Sequence, residues 1–489
     1  MKDQHLAKRV LRWVVPVRDD EIAALSWAVA YFFFLMLGYY PLRPLRENMG
    51  VEGGIENIAW LWTGTLVAVI ALNPIFCAIV ARFPRRTFIP YVYRFFITNL
   101  LVFFVLFKVF PQGQPHMYLG RVFYIWLSVF NLFVMSVGWG FMADIFSNPQ
   151  SRRLFGFIAS GASLGGTIGS ALVILLVDYI DPFLFMLLGA VLLEGAVRTV
   201  GPLNRIAISA RQRTDGQSRR PKEQDPAADA GSKPHQPIPE QSSFQTTPDE
   251  PIRGTIWEGM VRVAKSPYLM GIALFMFFWS ASGTFMYLVQ AEIAATYFVE
   301  ELQRIKFFAG VNFWVNVFSL FGQAWLVSRV IKALGVGLTL ALLPIVVFAG
   351  FAILGTSLSR LEPATLIWVF IVLETTRKVA NYSLARPTRE ILYTVVPRAE
   401  KYKSKTFIDT FVVRTSDPIN GWINMGLRAL GLSTASVLFV VMPIAGVWFV
   451  LALALGARQN RLAKCRRCDT CGNTLSSEDA QCPACGAAI

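Results

Sequence analysis

Runs of about twenty apolar residues with almost no charge recur along the chain, each long enough to cross the bilayer core as a helix. They fall near 22–42, 56–80, 88–110, 120–145, 155–178 and 183–203, and again near 268–297, 307–331, 337–357, 364–385, 405–430 and 433–456. The pattern predicts an all-α membrane protein with twelve transmembrane helices in two six-helix halves. Strands are excluded because lipid offers no partner to an open sheet edge. The halves are 1–203 and 256–457. Between them 204–255 turns abruptly polar, rich in Pro, Gln, Ser and Asp. Such a stretch cannot bury enough apolar surface to offset its ordering entropy, so a disordered cytosolic linker is expected. A small unit, 465–489, follows the last span.

Composition agrees, since 54% of the 489 residues are hydrophobic, 16% are charged and the mean hydropathy is +0.49. The net charge of +15 and pI of 9.7 invite a nucleic-acid reading, but the distribution argues otherwise. Lys and Arg collect at Lys2–Arg12, Arg82–Arg86, Arg152–Arg153, the linker, Arg329–Lys332, Lys401–Lys405 and Arg458–Arg467. The intervening loops are poorer and mixed, with Asp178, Asp181, Glu300, Glu301, Arg304, Lys306, Arg360 and Glu362. This is positive-inside topology, placing both termini in the cytosol of a bacterial inner membrane. The first apolar run follows Asp19, Asp20 and Glu21 and lacks a small-residue cleavage pattern, so it is expected to stay as a span.

The informative residues are charges inside spans, each costing about 2.5–3.5 kcal/mol at mid-bilayer unless paired. At 100° per residue Glu374, Arg377, Lys378, Asn381, Tyr382, Arg386 and Arg389 share one side of the tenth span, predicting a wet, net-positive face. The first span ends in YYPLRPLRENMG and the tenth in YSLARPTREILY, so Arg-Pro-x-Arg-Glu occurs at 43–47 and at 386–390. Guanidinium forks suit phosphate or carboxylate oxygens. Arg43 and Arg46 near one mouth, with Arg386 and Arg389 near the other, are therefore candidate holders of a polyanion in the two access states. The alternatives are that Arg43 and Arg46 snorkel to the interface and that Lys378 neutralises Glu374 one turn away. The prolines are expected to free carbonyls and kink the helices.

Six helices, a cytosolic linker and six more is the layout of the major facilitator architecture, with parallel halves rocking about a site near the midplane. The segments LRPLRENMG at 42–50, WGFMADIFSNPQSRRLFGFIASGASLGGTIGS at 139–170, LVQAEIA at 288–294 and KVANYSLARPTREILYTVV through KYKSKTFID at 378–409 resemble the ATP/ADP antiporter family of plastids and obligate intracellular bacteria. They are closer still to its relatives in free-living bacteria. The resemblance implies nucleotide transport. It places the family's basic residues on Arg46 and Arg389, lysines in the nucleotide exchangers, and its seventh-helix acid on Gln290, with Glu292 two positions on. An acid expected early in the fourth helix has no counterpart near Tyr124.

Gly161, Gly165 and Gly169, with Gly166 beside them, permit close helix approach; no Gly-Lys-Ser/Thr follows that would make a phosphate loop. His5, His116 and His235 are not placed like catalytic bases. The tail carries Cys468-x2-Cys471 and Cys482-x2-Cys485, the spacing of a four-cysteine structural zinc ribbon. Disulfides are the alternative, disfavoured on a reducing cytosolic face. Cys465 is a spare ligand, Cys77 a small apolar residue in the second span, and the ribbon a possible dock for a cytosolic partner. The expected function is secondary transport of a nucleotide or similar phosphorylated polyanion. A facilitator for another organic anion or lipid-like solute is the alternative. An enzyme or sensor using the zinc tail is disfavoured because no paired-carboxylate cluster accompanies these histidines.

Overall fold

The computed structural model describes residues 17–18, 21–82, 85–146, 148–218, 256–325, 327–396, 398–464, 466–467 and 474–475. The first half contains α1 (Ile22–Tyr39), α2 (Leu42–Glu52), α3 (Ile58–Arg82), α4 (Arg85–Val109), α5 (Gly113–Ile145), α6 (Asn148–Leu176) and α7 (Leu184–Ser218). A short helix α8 (Ile256–Lys265) precedes α9 (Pro267–Tyr297), α10 (Glu301–Trp325) and α11 (Val327–Ser357). Then come α12 (Pro363–Ala380), α13 (Arg386–Leu392), α14 (Arg398–Phe407), α15 (Val413–Ala429) and α16 (Thr434–Lys464).

Among the described residues ten helical segments, counting Ile22–Glu52 as one, are long and apolar enough to cross a membrane. Twelve were expected. The two expected spans outside that set, 364–385 and 405–430, are helical but broken. A π turn at 381–385 joins α12 to α13, and another at 408–412 joins α14 to α15. Their charge keeps them below the apolar threshold: Glu374, Arg377, Lys378, Arg386 and Arg389 in one, Asp409, Arg414, Asp417 and Arg428 in the other. The first break has a local cause, because the Pro387 ring clashes with the carbonyl four residues back, at Ser383 inside the π turn. Likewise the helical run of α1 gives way at 40–41 just before Pro44.

The glycine stripe on α6 serves helix packing. A Cβ at Gly161 would lie 2.7 Å from the Val29 carbonyl, and one at Gly165 only 2.3 Å from that of Phe33. These glycines let α1 and α6 touch backbone to backbone, and nothing larger fits. At the start of α1, Glu21 accepts from Arg153 at 2.7 Å, Gln150 at 3.0 Å and the Arg18 N–H at 3.0 Å. Burial pushes its carboxyl up, but those donors outweigh it and hold the group below the usual carboxylate range.

Buried apolar residues form two clusters. One runs from Val17 to Leu203 with Ile305 and Ala309 added; the other runs from Val263 to Leu455 with Val51 and Ile58 added. The strays mark where the halves meet. At the end of the bundle where α2 finishes and α10 begins (the Asn48 end), Arg304 donates to Asn48 at 2.7 Å and to Glu52 at 3.1 Å. Lys306 pairs with Asp178 there, Trp422 donates to Thr63 at 3.1 Å, and Trp60 meets Trp422 edge-on at 4.6 Å. The opposite end carries Glu21.

Helical backbone continues through Ser218 into the stretch expected to be linker; 219–255 lie outside the described residues. So do Cys465, Cys468, Cys471, Cys482 and Cys485. Two flanking dipeptides are described, Arg466–Arg467 and Thr474–Leu475, pairing antiparallel with Arg466 opposite Leu475.

Candidate functional site: a cationic cavity between the halves

A cavity of about 330 Å³ lies between α2, α3 and α5 of the first half and α9, α12, α13 and α15 of the second. Five cations line it: Arg46, Arg377, Lys378, Arg386 and Arg414. Asp417 is its one carboxylate among the described residues, and Trp62, Trp279, Tyr287 and Tyr382 supply aromatic surface.

Three of the cations have a carboxylate partner behind them. The Arg46 guanidinium donates to Glu47 at 3.0 Å and to Ser128 at 3.0 Å, and stacks 4.7 Å over the Tyr124 ring. The ring face thus supports the cation where the family resemblance leads one to look for an acid. Tyr124 in turn accepts from Trp62 at 3.1 Å and donates to Tyr287 at 3.1 Å, a relay that crosses from one half to the other. On α12 the Arg377 fork grips Glu374 at 2.8 and 2.9 Å, and Lys378 reaches the same carboxylate at 2.9 Å. Glu374 is 2% exposed, dry enough for one carboxylate to hold two cations strongly.

The other two are not neutralised. Arg386, just after the π turn, lies over the rings of Tyr382 at 4.5 Å and Trp279 at 5.9 Å. Among the described residues it has no carboxylate at ion-pair distance. Nor has Arg414, which follows the second π turn on α15. Trp279 is held by its own donation to Asn381 at 2.7 Å. The π turns, frequent at functional sites, therefore set the azimuth of both unpaired arginines.

Of the residues expected from sequence, Arg46, Arg377, Lys378, Asn381, Tyr382 and Arg386 face this cavity, and Arg43, Gln290, Glu292, Glu374 and Arg389 do not. Arg43 sits beside Tyr40 with its Nε 3.5 Å from Glu47. The two arginines of the first motif are thus tied to a buried carboxylate, and the pairs divide differently from one pair per mouth. Each motif contributes one arginine to a shared cavity. Arg389 belongs to a separate network toward the Glu21 end, paired with Asp409 at 3.1 Å and Glu390 at 2.9 Å. Gln290 is buried on α9 one turn beyond Tyr287, outside the wall. Glu292 lines a second cavity of about 320 Å³ toward the Asn48 end, bonded to Thr434 and 3.5 Å from Arg428.

A profile of the Major Facilitator Superfamily matches residues 22–383. The chain belongs to that superfamily. Among solved structures, the nucleoside transporter NupG superposes with a TM-score of 0.57 at 14% identity, covering 89% of this chain and 99% of NupG. A POT family transporter in complex with a thioalcohol-conjugated peptide gives 0.56 at 11% identity, covering 89% and 96%. At such identities the likeness is one of fold. No curated protein matches. The chain is thus a multi-pass membrane protein with a facilitator-superfamily transporter fold, and its central cavity is where that fold receives a solute.

Sequence reading had missed Arg414, Asp417, Trp62 and Trp279. For the first two the signal was present, two charges three residues apart inside an expected span. For the tryptophans it was absent, because aromatic residues fill lipid-facing and pore-facing positions alike.

Proposed function

We propose that the protein is a secondary active transporter that moves a nucleotide or similarly phosphorylated organic anion across the bacterial inner membrane by alternating access. The observation that carries this reading is the pair of cavity arginines, Arg386 and Arg414, without carboxylate partners. Arg386 is open to the cavity and Arg414 half-buried beside it, so both guanidiniums present their donors to whatever enters, and an anion's oxygens suit them. The aromatic walls beside Arg386 suit a flat ring attached to that anion. We assign the broken segments 363–396 and 398–429 as the tenth and eleventh of twelve spans, with Arg377, Lys378, Arg386, Arg414 and Asp417 facing the pore. The Asn48 end faces outward and both termini inward, following the Lys and Arg asymmetry.

Proteoliposomes containing the full chain, offered labelled ATP, ADP, AMP and a hexose phosphate, test the reading. Uptake of at least one, abolished in Arg386→Ala, is expected. No uptake of any, or uptake indifferent to that change, overturns it. For the tail we propose a structural zinc on Cys468, Cys471, Cys482 and Cys485, supported by their spacing and by the short ladder flanking the first pair. Metal analysis of the full chain, near one equivalent and lost in Cys482→Ser, checks it.

A further inference from the structure

We infer that Asp417 is the proton-coupling group, so that the anion enters together with a proton. The inference rests on the anion-transport reading above. Asp417 is the one carboxylate on the cavity wall among the described residues, and no cation lies at ion-pair distance from it. Arg414 stands one turn earlier on the same helix. Arg46 lines the same wall from α2. The facing part of α3 presents Trp62, Thr65 and Leu66, none of them titratable near neutral pH, and α9 presents Tyr287 with two hydroxyls.

Those hydroxyls are the decisive detail. Asp417 Oδ1 accepts from Ser280 at 2.8 Å and from Thr284 at 3.0 Å. Each donor has a second acceptor within reach, Ser280 the Val413 carbonyl at 3.2 Å and Thr284 the Ser280 carbonyl at 3.2 Å. A hydroxyl has one hydrogen and turns to suit. With Asp417 ionised both hydroxyls point at it; with Asp417 protonated both turn to the carbonyls. The wall therefore accommodates either state without stranding a buried donor, unlike Glu374 or Glu47, whose arginine partners cannot release them cheaply.

The coupling follows from charge. Ionised Asp417 attracts Arg414 and competes with an incoming anion for it. A proton taken from the water on one side converts the carboxylate to the acid and removes that competitor, so the anion binds. After the cavity opens to the other side, loss of the proton restores the competitor and expels the anion. One proton and one anion cross together.

The test uses proteoliposomes of the full chain and labelled ADP, or the panel member that exchanges if ADP does not. Exchange against the same compound inside, at equal pH on both faces, reports transport alone. Net uptake into vesicles acidic outside by one unit, with the membrane potential clamped, reports coupling. Wild type should accumulate the anion about tenfold per coupled proton. In Asp417→Asn, exchange at whatever rate it runs should no longer depend on pH, and accumulation should vanish. Asp417→Glu should retain coupling with a shifted pH profile. Three results would overturn the inference while leaving anion transport standing: exchange without pH-driven accumulation in wild type, accumulation that survives in Asp417→Asn, or accumulation that follows sodium instead. Absence of exchange in wild type removes the transport reading and the inference with it.

Discussion

The chain contains Arg-Pro-x-Arg-Glu twice, and the two copies do opposite things with the same side chains. At 43–47 the glutamate is buried, 4% exposed, and its carboxylate serves both arginines, at 3.5 Å from Arg43 and 3.0 Å from Arg46. At 386–390 the glutamate is only half-buried, its side chain 44% exposed against 5% for that of Glu47, and it turns to Arg389 at 2.9 Å and Lys405 at 2.5 Å, leaving Arg386 alone over aromatic rings. The first copy lies in dry surroundings beside the contacts that join the halves at the Asn48 end. The second follows a π turn and is offered other counter-charges, Asp409 and Lys405, by the neighbouring segment. Five letters fix neither the pairing nor the role. What decides is which charges the adjacent helices supply and how much water reaches them.

The largest expected difference between the copies is in stability. Glu47→Gln strips two half-buried guanidiniums of a buried counter-ion, and breaking a buried pair by removing one partner costs up to about 3–5 kcal/mol. The variant should melt well below wild type in detergent. Unchanged melting would mean that Glu47 is not the anchor of its motif. Transport should then invert the ranking. Arg386→Ala removes an unmatched cation from the anion's own wall, worth about 1.5–3 kcal/mol, or on the order of 10- to 100-fold in uptake at equal expression. Arg43→Ala, outside the wall, should lose far less. Equal losses would dissolve the distinction between a pairing arginine and a binding one.

Most spans were legible in sequence because apolar runs of that length have one use. The expected limits near 268–297 and 433–456, for example, fall close to Pro267–Tyr297 and Thr434–Ala463. The wet face of the segment 363–392 was legible too, since Arg377, Lys378 and Arg386 share the cavity although a π turn falls among them. Two things were not. A three-residue spacing places Arg386 and Arg389 about 60° apart, close enough to predict a common face but not to say that a wall would fall between them. And Arg46 pairs with its immediate neighbour Glu47, a contact that no helix rule favours. It exists because Ser128 and Tyr124 hold the guanidinium from the other side. Arg414 and Asp417 were within reach of the same reasoning, had the charges of the eleventh segment been weighed as those of the tenth were.

A smaller effect should follow from loosening the end where the first copy lies. Arg304 ties the start of α10 to Asn48 and Glu52 on α2, just beyond Glu47. Arg304→Ala removes charged hydrogen bonds worth about 1.5–3 kcal/mol where buried and less at this partly open site. Opening the Asn48 end should become easier, and a cysteine placed at Thr65 in the cavity wall should react faster with an impermeant thiol reagent added outside. No change would show that the other contacts there, Lys306 with Asp178 and Trp422 with Thr63 and Trp60, hold the halves without Arg304.

The smallest difference tests the second copy itself. Glu390 is partly open to water and shares its partners, since Arg389 also has Asp409. Glu390→Gln therefore leaves Arg389 with a carboxylate, and exposed ion pairs contribute only about 0–1 kcal/mol. Melting should shift slightly, and uptake should stay close to wild type because Arg386 does not rely on Glu390. The double change Glu390→Gln with Asp409→Asn is sharper, for it leaves Arg389 without a carboxylate as Glu47→Gln leaves Arg46. If sequence alone set the outcome, the two losses would match. With water available at Glu390, the second should be the milder, and the gap between them measures how much of the first copy's behaviour comes from its dry surroundings.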